Sequence, residues 1–266
     1  MSDIWIAVVL GIVEGITEFL PVSSTGHLII VGHFLDFKGD QANTFDVVIQ
    51  MGAILAVVWM YRSIFAGLIF PDNHNKFSGI YGLFLLGLTT IPASIVGFLA
   101  YGFIMRELFN PYTVAWALGV GAIIILLVES FKKPARINSL NQLTPFVALS
   151  IGMFQCLALW PGFSRSASTI IGGMVMGAER RTAAEYSFIT AVPIMFAAST
   201  YELYKSWSIH SSADFLVLAV GFTVSFMSAC LAVKTFLYLL GQITLRPFAY
   251  YRLILAPLVI LFWTTF

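Results

Sequence analysis

The chain has 266 residues, 59% of them apolar and only 10% charged, with a net charge of +1 and a mean hydropathy of +0.91. A soluble domain carries about 25% charged residues because its surface must be wetted, so a soluble protein is excluded. No basic stripe exists to neutralise phosphates, which excludes nucleic acid as a partner.

From the start, Met1-Ser2-Asp3-Ile4-Trp5 has neither a basic n-region nor a small-residue cleavage site, so the first helix is expected to belong to the mature protein. Residues 4–36 are apolar but interrupted at Pro21-Val22-Ser23-Ser24-Thr25-Gly26. About 15 residues on either side are too few to cross roughly 30 Å of hydrocarbon, which predicts a re-entrant pair of half-helices. Spanning helices are predicted at 44–62, 80–103 and 112–131. A polar linker, Arg136–Thr144, leads to a second interrupted stretch at 146–177, broken at Pro161-Gly162-Phe163-Ser164-Arg165-Ser166. Three more spans are predicted at 184–204, 213–240 and 247–265. The expected fold class is therefore all-α: one integral membrane domain, polytopic, with six transmembrane helices plus two re-entrant helix-loop-helix pairs.

The halves, 1–135 and 145–266, repeat one another. Gly11-Ile12-Val13-Glu14 recurs as Gly152-Met153-Phe154-Gln155, Ser24 as Ser164, Asp46 as Glu185, and Asn110-Pro111-Tyr112 as Arg246-Pro247-Phe248. Three spans per half is odd, so the second half enters the membrane upside down, an inverted-topology repeat with its site expected where the two broken elements meet. With this topology Arg62, Lys76, Lys132, Lys133, Arg136, Arg180, Arg181 and Arg246 lie on one side, and Lys38, Arg106 and Lys205 on the other. The excess assigns the first side to the cytoplasm, so that the first break opens outward. Trp5, Trp59, Trp160, Trp207 and Trp263 fall where aromatic belts belong, and His33, His74 and His210 near interfaces. Cys156 and Cys230 read as small buried hydrophobes.

Two polar clusters stand out. In residues 14–27, EGITEFLPVSSTGH, Glu14 and Glu18 are four apart and share one helix face. Carboxylates at bilayer depth are costly, by at least ~2.5 kcal/mol each at a helix centre, and are kept for function. Ser23, Ser24 and Thr25 sit where a half-helix must begin. One of them is expected to cap it, and the free N–H groups of that start suit a phosphate. In residues 161–169, PGFSRSAST, Arg165 needs a partner; its planar fork matches phosphate oxygens, or a glutamate, Glu14 or Glu18, until substrate arrives. Asp46 and Gln50 share a helix face and are candidates to line the same cavity, or to pair helices, as is Glu185. No nucleotide cradle or zinc-site pattern occurs.

These two motifs closely resemble the signatures of the bacterial undecaprenyl-diphosphate phosphatases, the family tied to bacitracin resistance. The likeness runs over essentially the whole chain, including FDVVIQMGAILAV at 45–57, and no polar motif position departs from it. The resemblance implies hydrolysis of undecaprenyl diphosphate to the monophosphate carrier lipid, which peptidoglycan synthesis reuses, in the bacterial inner membrane; with the lysine and arginine bias above, the site is expected to open to the periplasm. It implies Glu14 and Glu18 as the acidic motif, Ser24 as nucleophile, His27 as acid or base and Arg165 as phosphate clamp. Ser23, Thr25, Gly26, Ser164, Ser166 and Thr169 would be supporting phosphate ligands. It also implies a divalent cation, Mg2+ or Ca2+, and a homodimer; Glu14 and Glu18 are candidates to hold that cation, or to orient His27 and Arg165.

Two routes stay open from the residues: attack by Ser24 with His27, one turn on, as general base, or direct attack by water activated by His27 or a glutamate. A different class of function, a secondary transporter or lipid flippase, uses the same broken-helix architecture. The Ser–His pair beside Arg165 speaks against it, since a carrier needs no nucleophile.

Overall fold

Proline, glycine and hydroxyl residues interrupt two otherwise apolar stretches, and in the computed structural model the chain breaks at those two points. The structure describes residues 2–37, 40–72, 74–131, 134–206 and 214–264. Lys38, Lys132, Lys133, Trp207 and His210, with the side chains of Lys205 and Trp263, lie outside them. Among the described residues every regular element is helical.

In the first half, α1 (Ser2–Thr17) and α2 (Ser24–Phe34) flank the first break, followed by α3 (Asp40–Met60), α4 (Arg62–Ile69), α5 (Gly79–Phe103) and α6 (Pro111–Ser130). In the second, α7 (Pro145–Gln155) and α8 (Arg165–Val175) flank the other break, followed by α9 (Arg180–Ser206), α10 (Asp214–Leu240) and α11 (Arg246–Thr264). Local chemistry sets several boundaries. Asn110 caps α6 by accepting from the Thr113 amide at 3.1 Å, with Pro111 at the first helical position, where its missing N–H is harmless. Thr144 and Pro145 start α7 in the same way.

Three details differ from the sequence reading. The first predicted span stops at Met60 and bends by 77° into α4; Arg62 is the first residue of α4 and donates back to the Trp59 carbonyl at 3.2 Å. A π-helical turn, Ile104–Leu108, extends α5, and α7 tightens into a 3-10 turn, Cys156–Leu159. Among the described residues three helices are long and apolar enough to cross a membrane, Gly79–Leu108, Pro111–Ser130 and Phe215–Leu240, or four if the bent pair of α3 and α4 counts as one. Helices α9 and α11 are formed where spans were expected, but fall short of that criterion. They carry buried polar side chains, among them Ser187, Thr190 and Ser199 on α9 and Arg252 on α11.

The halves interlock. Helix α1 packs on α10 and α7 on α5; α2 packs on α11 and α8 on α6; α3 meets α9, and α6 meets α11. Exchanging the halves turns each of these pairs into another of the set or into itself. The approach is close where glycine allows it: a Cβ at Gly11 would fall 2.7 Å from the Gly221 carbonyl on α10, and one at Gly152 would fall 2.7 Å from the Leu88 carbonyl on α5. The linker docks rather than drifting, with the Arg136 amide on the Gly177 carbonyl at 2.8 Å and the Glu179 amide on the Ile137 carbonyl at 2.8 Å. The core gathers around Phe19, Phe188 and Phe236, whereas α5 presents Ile80, Phe98 and Leu99 outward, as a surface facing hydrocarbon does.

Candidate active site

Each break is built alike. In the first, α1 ends at Thr17, Pro21 offers no amide, and Ser23 turns through φ 71° to cap α2, its hydroxyl accepting from the Gly26 amide at 3.5 Å. In the second, Gly162 takes φ 95°, a conformation suited to glycine. Ser164 follows with φ 79° and caps α8 by accepting from the Ala167 amide at 3.2 Å. Of the three hydroxyl residues opening α2, Ser23 is thus the cap, which leaves Ser24 and Thr25 for other partners.

The breaks touch. Ser166 on α8 donates to the Leu20 carbonyl at 2.8 Å, and its hydroxyl lies 3.0 Å from that of Ser164. Between them sits Glu18. Ser24 Oγ donates to Glu18 Oε2 at 2.6 Å, and Arg165 Nη2 reaches Glu18 Oε1 at 3.4 Å. One carboxylate therefore spans the serine of the first break and the arginine of the second. Arg165 also donates to the Ser187 carbonyl at 3.0 Å and stands over the Phe19 ring at 5.8 Å. Its Nε is buried without a hydrogen-bond partner, a donor left over in a nearly enclosed guanidinium.

His27 stands apart from Ser24. Its Nδ1 is 2.7 Å from the Ser23 carbonyl, an acceptor only, so Nδ1 carries the proton; Nε2 then accepts, in the neutral ring, from the Tyr251 hydroxyl at 2.7 Å. The two rings stack with centroids 5.5 Å apart. The base expected for Ser24 is thus engaged elsewhere, and Glu18 holds that place.

A cavity of about 580 Å³ opens beside the first break. Its polar wall is Glu14, Ser24, Thr25, His33, Asp46 and Gln50, so that His33, expected near an interface, lines the cavity; its apolar wall includes Phe109 and Phe262. Glu14 is only 1% exposed, and neither of its carboxylate oxygens has a hydrogen-bond partner. Such an orphaned pair is costly unless something is bound. Gln50 accepts from Ser199 on α9 at 3.1 Å. Glu185, the counterpart of Asp46, instead holds Arg181 at 3.1 Å.

The other expected phosphate ligands are less available. Gly26 is buried under α6 and α11. Thr169 is buried with its hydroxyl 2.6 Å from that of Ser187, and Ser166 is held at Leu20, so both shape the second break rather than face the cavity. Trp160, grouped by sequence with the interfacial tryptophans, stands inside the second break. Three residues escaped the sequence reading: Ser187, which holds Arg165; Tyr251, which holds His27; and Arg252, fully buried at the junction of both breaks. Arg252 had a signal, since it is an arginine inside a predicted span; the other two had none.

An all-helical membrane protein with a serine, two glutamates and an arginine gathered where two broken helices meet has the makings of an intramembrane hydrolase. The chain belongs to the family of bacitracin resistance protein BacA, whose family model matches residues 7–258. It is 64% identical to the undecaprenyl-diphosphatase of Maridesulfovibrio salexigens over 99% of this chain and 100% of that one. It is 58% identical to that of Oleidesulfovibrio alaskensis, over 99% and 100%. Likeness extends to the undecaprenyl-diphosphatase 1 of Bacillus cereus, at 49% over 98% and 99%.

Proposed function

We propose that this protein hydrolyses undecaprenyl diphosphate to undecaprenyl phosphate and inorganic phosphate, returning the carrier lipid to peptidoglycan synthesis and conferring bacitracin resistance. The family and the relatives' names support the reaction. The observation that carries the assignment to this site is the shared carboxylate: Ser24 and Arg165, from opposite halves, meet on Glu18.

Phosphoryl transfer asks a protein mainly for positioning and charge neutralisation. The N-termini of α2 and α8 and the Arg165 guanidinium supply positive character around the diphosphate. Glu18, 2.6 Å from Ser24, takes the hydroxyl proton as Oγ bonds to the terminal phosphorus. The bond from phosphorus to the bridging oxygen breaks, and its electron pair leaves with undecaprenyl phosphate, which receives the proton from Glu18. Water, deprotonated by the same carboxylate, then bonds to phosphorus; the bond from phosphorus to Oγ breaks, phosphate leaves, and Oγ takes the proton back from Glu18. As substrate enters, Arg165 exchanges Glu18 for phosphate oxygens. His27 holds the Ser23 carbonyl and so the backbone that presents Ser24.

Glu14 and Glu18 are the ligands proposed for a divalent cation, Mg2+ or Ca2+. The orphaned oxygens of Glu14 fit that role, and because no group of three or more His, Cys, Asp or Glu is gathered for a metal among the described residues, phosphate oxygens and water would complete the shell. Bound there, the ion would neutralise charge on the diphosphate.

The proposed topology has six spans and two re-entrant pairs related as an inverted repeat, with the cavity opening to the periplasmic face of the inner membrane and two copies forming a dimer. The exchange symmetry of the helix pairs supports the repeat, and the lysine and arginine bias supports the orientation.

The test is phosphate release from undecaprenyl diphosphate by purified protein in detergent, where transport is impossible, beside Arg165→Ala. The wild-type chain is expected to release phosphate, and the variant to be slower by on the order of a hundredfold or more. No release by the wild-type chain would leave a carrier as the better reading.

A further inference from the structure

Arg252 is the bulkiest of the fully buried side chains, at 0% exposure. Among the described residues no carboxylate pairs with it, and its acceptors are four main-chain carbonyls. Nε donates to Leu118 O at 3.2 Å, Nη1 to Pro21 O at 3.4 Å, and Nη2 to Ala117 O at 3.1 Å and Gly162 O at 3.3 Å. Two of these carbonyls belong to α6. The other two lie in the breaks themselves, one in each half, where non-helical backbone has no neighbouring turn to satisfy it.

The surroundings are shaped for this guanidinium. An added Cβ at Gly121 would run into Arg252 Nη2 and fall 2.8 Å from Cζ, so glycine leaves the guanidinium its present place and any side chain there would displace it. Phe163, from the second break, offers its ring face 5.8 Å away. A planar fork with five donors can bind carbonyls from three directions at once, which a point ammonium or an apolar side chain cannot. Within hydrocarbon each freed carbonyl needs a donor, and one residue serves both breaks.

We propose that Arg252 is a positioning residue of the reaction: by tying Pro21 O and Gly162 O to α6 and α11, it sets the separation of the breaks at which Ser24 and Arg165 address one phosphoryl group. The inference rests on the hydrolase reading above. Pro21 lies three residues before Ser24, and Gly162 three before Arg165, so a shift of either carbonyl is passed along a short stretch of chain to a reacting group. The buried positive charge also stands behind the starts of α2 and α8 and adds to the field they present to an anion.

The experiment measures kcat and KM for phosphate release by full-length protein in detergent, normalised to the folded fraction from gel filtration and thermal unfolding. Arg252→Met is expected to lower kcat per folded molecule by on the order of a hundredfold, the effect of misplacing reacting groups by about 1 Å, with KM changed far less. Arg252→Lys, which keeps charge but not the fork, is expected to lose roughly tenfold. Gly121→Ala displaces the guanidinium without removing it and is expected to follow Arg252→Lys. A kcat per folded molecule within about twofold of the parent in Arg252→Met, or in Gly121→Ala if the methionine variant does not fold, would overturn the proposal. Failure of the parent to release phosphate in the same assay would sink the hydrolase reading instead.

Discussion

Ser23 and Ser164 share one backbone conformation, φ 71° and ψ 97° at the first and φ 79° and ψ 119° at the second, and each caps the helix that follows. Side chains seldom adopt positive φ, and strain of about 1–3 kcal/mol persists only where the surroundings over-determine it. Here His27 binds the Ser23 carbonyl and Ser166 meets the Ser164 hydroxyl. The same sharp turn in both halves aims α2 and α8 at the space around Glu18.

At Ser23 this relationship separates strain from capping. Ser23→Ala keeps the strained turn and loses the cap, lowering stability by about 0.5–1 kcal/mol, the low end because the capping bond is long. Ser23→Gly loses the same cap but relieves the turn, and is expected to melt close to the parent. Thermal unfolding in detergent measures both, and a glycine variant less stable than the alanine one would contradict the account.

Ser24 makes no cap, so its loss should be chemical rather than structural. Ser24→Ala is expected to melt with the parent while turnover falls on the order of a hundredfold or more. Near-normal phosphate release would rule out the covalent route and favour direct attack by water. Labelled phosphate trapped on the parent but not on the variant would favour the serine.

Glu18 is expected to matter as much as Ser24, because it faces the hydroxyl at 2.6 Å while His27 is turned to Tyr251. Glu18→Gln keeps the shape and removes the proposed base, with an expected loss in kcat on the order of a hundredfold. Tyr251→Phe removes one hydrogen bond from His27 and is expected to lose only roughly fivefold, the worth of about 1 kcal/mol. Steady-state kinetics of the two variants side by side would refute this ranking if the order were reversed.

Away from the site, Glu129 on α6 is fully buried and joins three helices: Arg180 of α9 binds both its oxygens, and the Leu245 amide before α11 donates to it at 2.8 Å. Breaking a buried pair by removing one partner costs about 3–5 kcal/mol. The Arg180 side chain is 27% exposed, which points to the lower end of that range. Glu129→Gln is expected to melt well below the parent with KM unchanged, whereas Cys156→Ala should alter neither. Unfolding and kinetics on the same preparations test both statements.

Legibility from sequence followed the range of the interaction. Hydropathy and turn chemistry act within a few residues, so both breaks, the helices around them and the polar residues at their centres could be read from composition and spacing alone. The bend after Met60 and the π-helical turn after Phe103 could not, since both depend on how a helix end meets its neighbours. The expectation that His27 serves Ser24 rested on one helical turn of spacing. In the structure the imidazole instead meets the Tyr251 hydroxyl on α11, whose place beside α2 is set by packing.

By itself, then, the sequence determined that the chain lies in a membrane, where it breaks, and which motif residues belong together, because apolar length and helix-breaking chemistry are local properties. Tertiary structure alone decided that Ser23 and not Ser24 caps α2, that Glu18 joins Ser24 to Arg165, that Tyr251 binds His27, and that Arg252 bridges the two breaks. Those pairings connect residues up to 231 positions apart. The pairings that cross between the halves are possible because glycines such as Gly11 and Gly152 let the helices of one half approach those of the other closely.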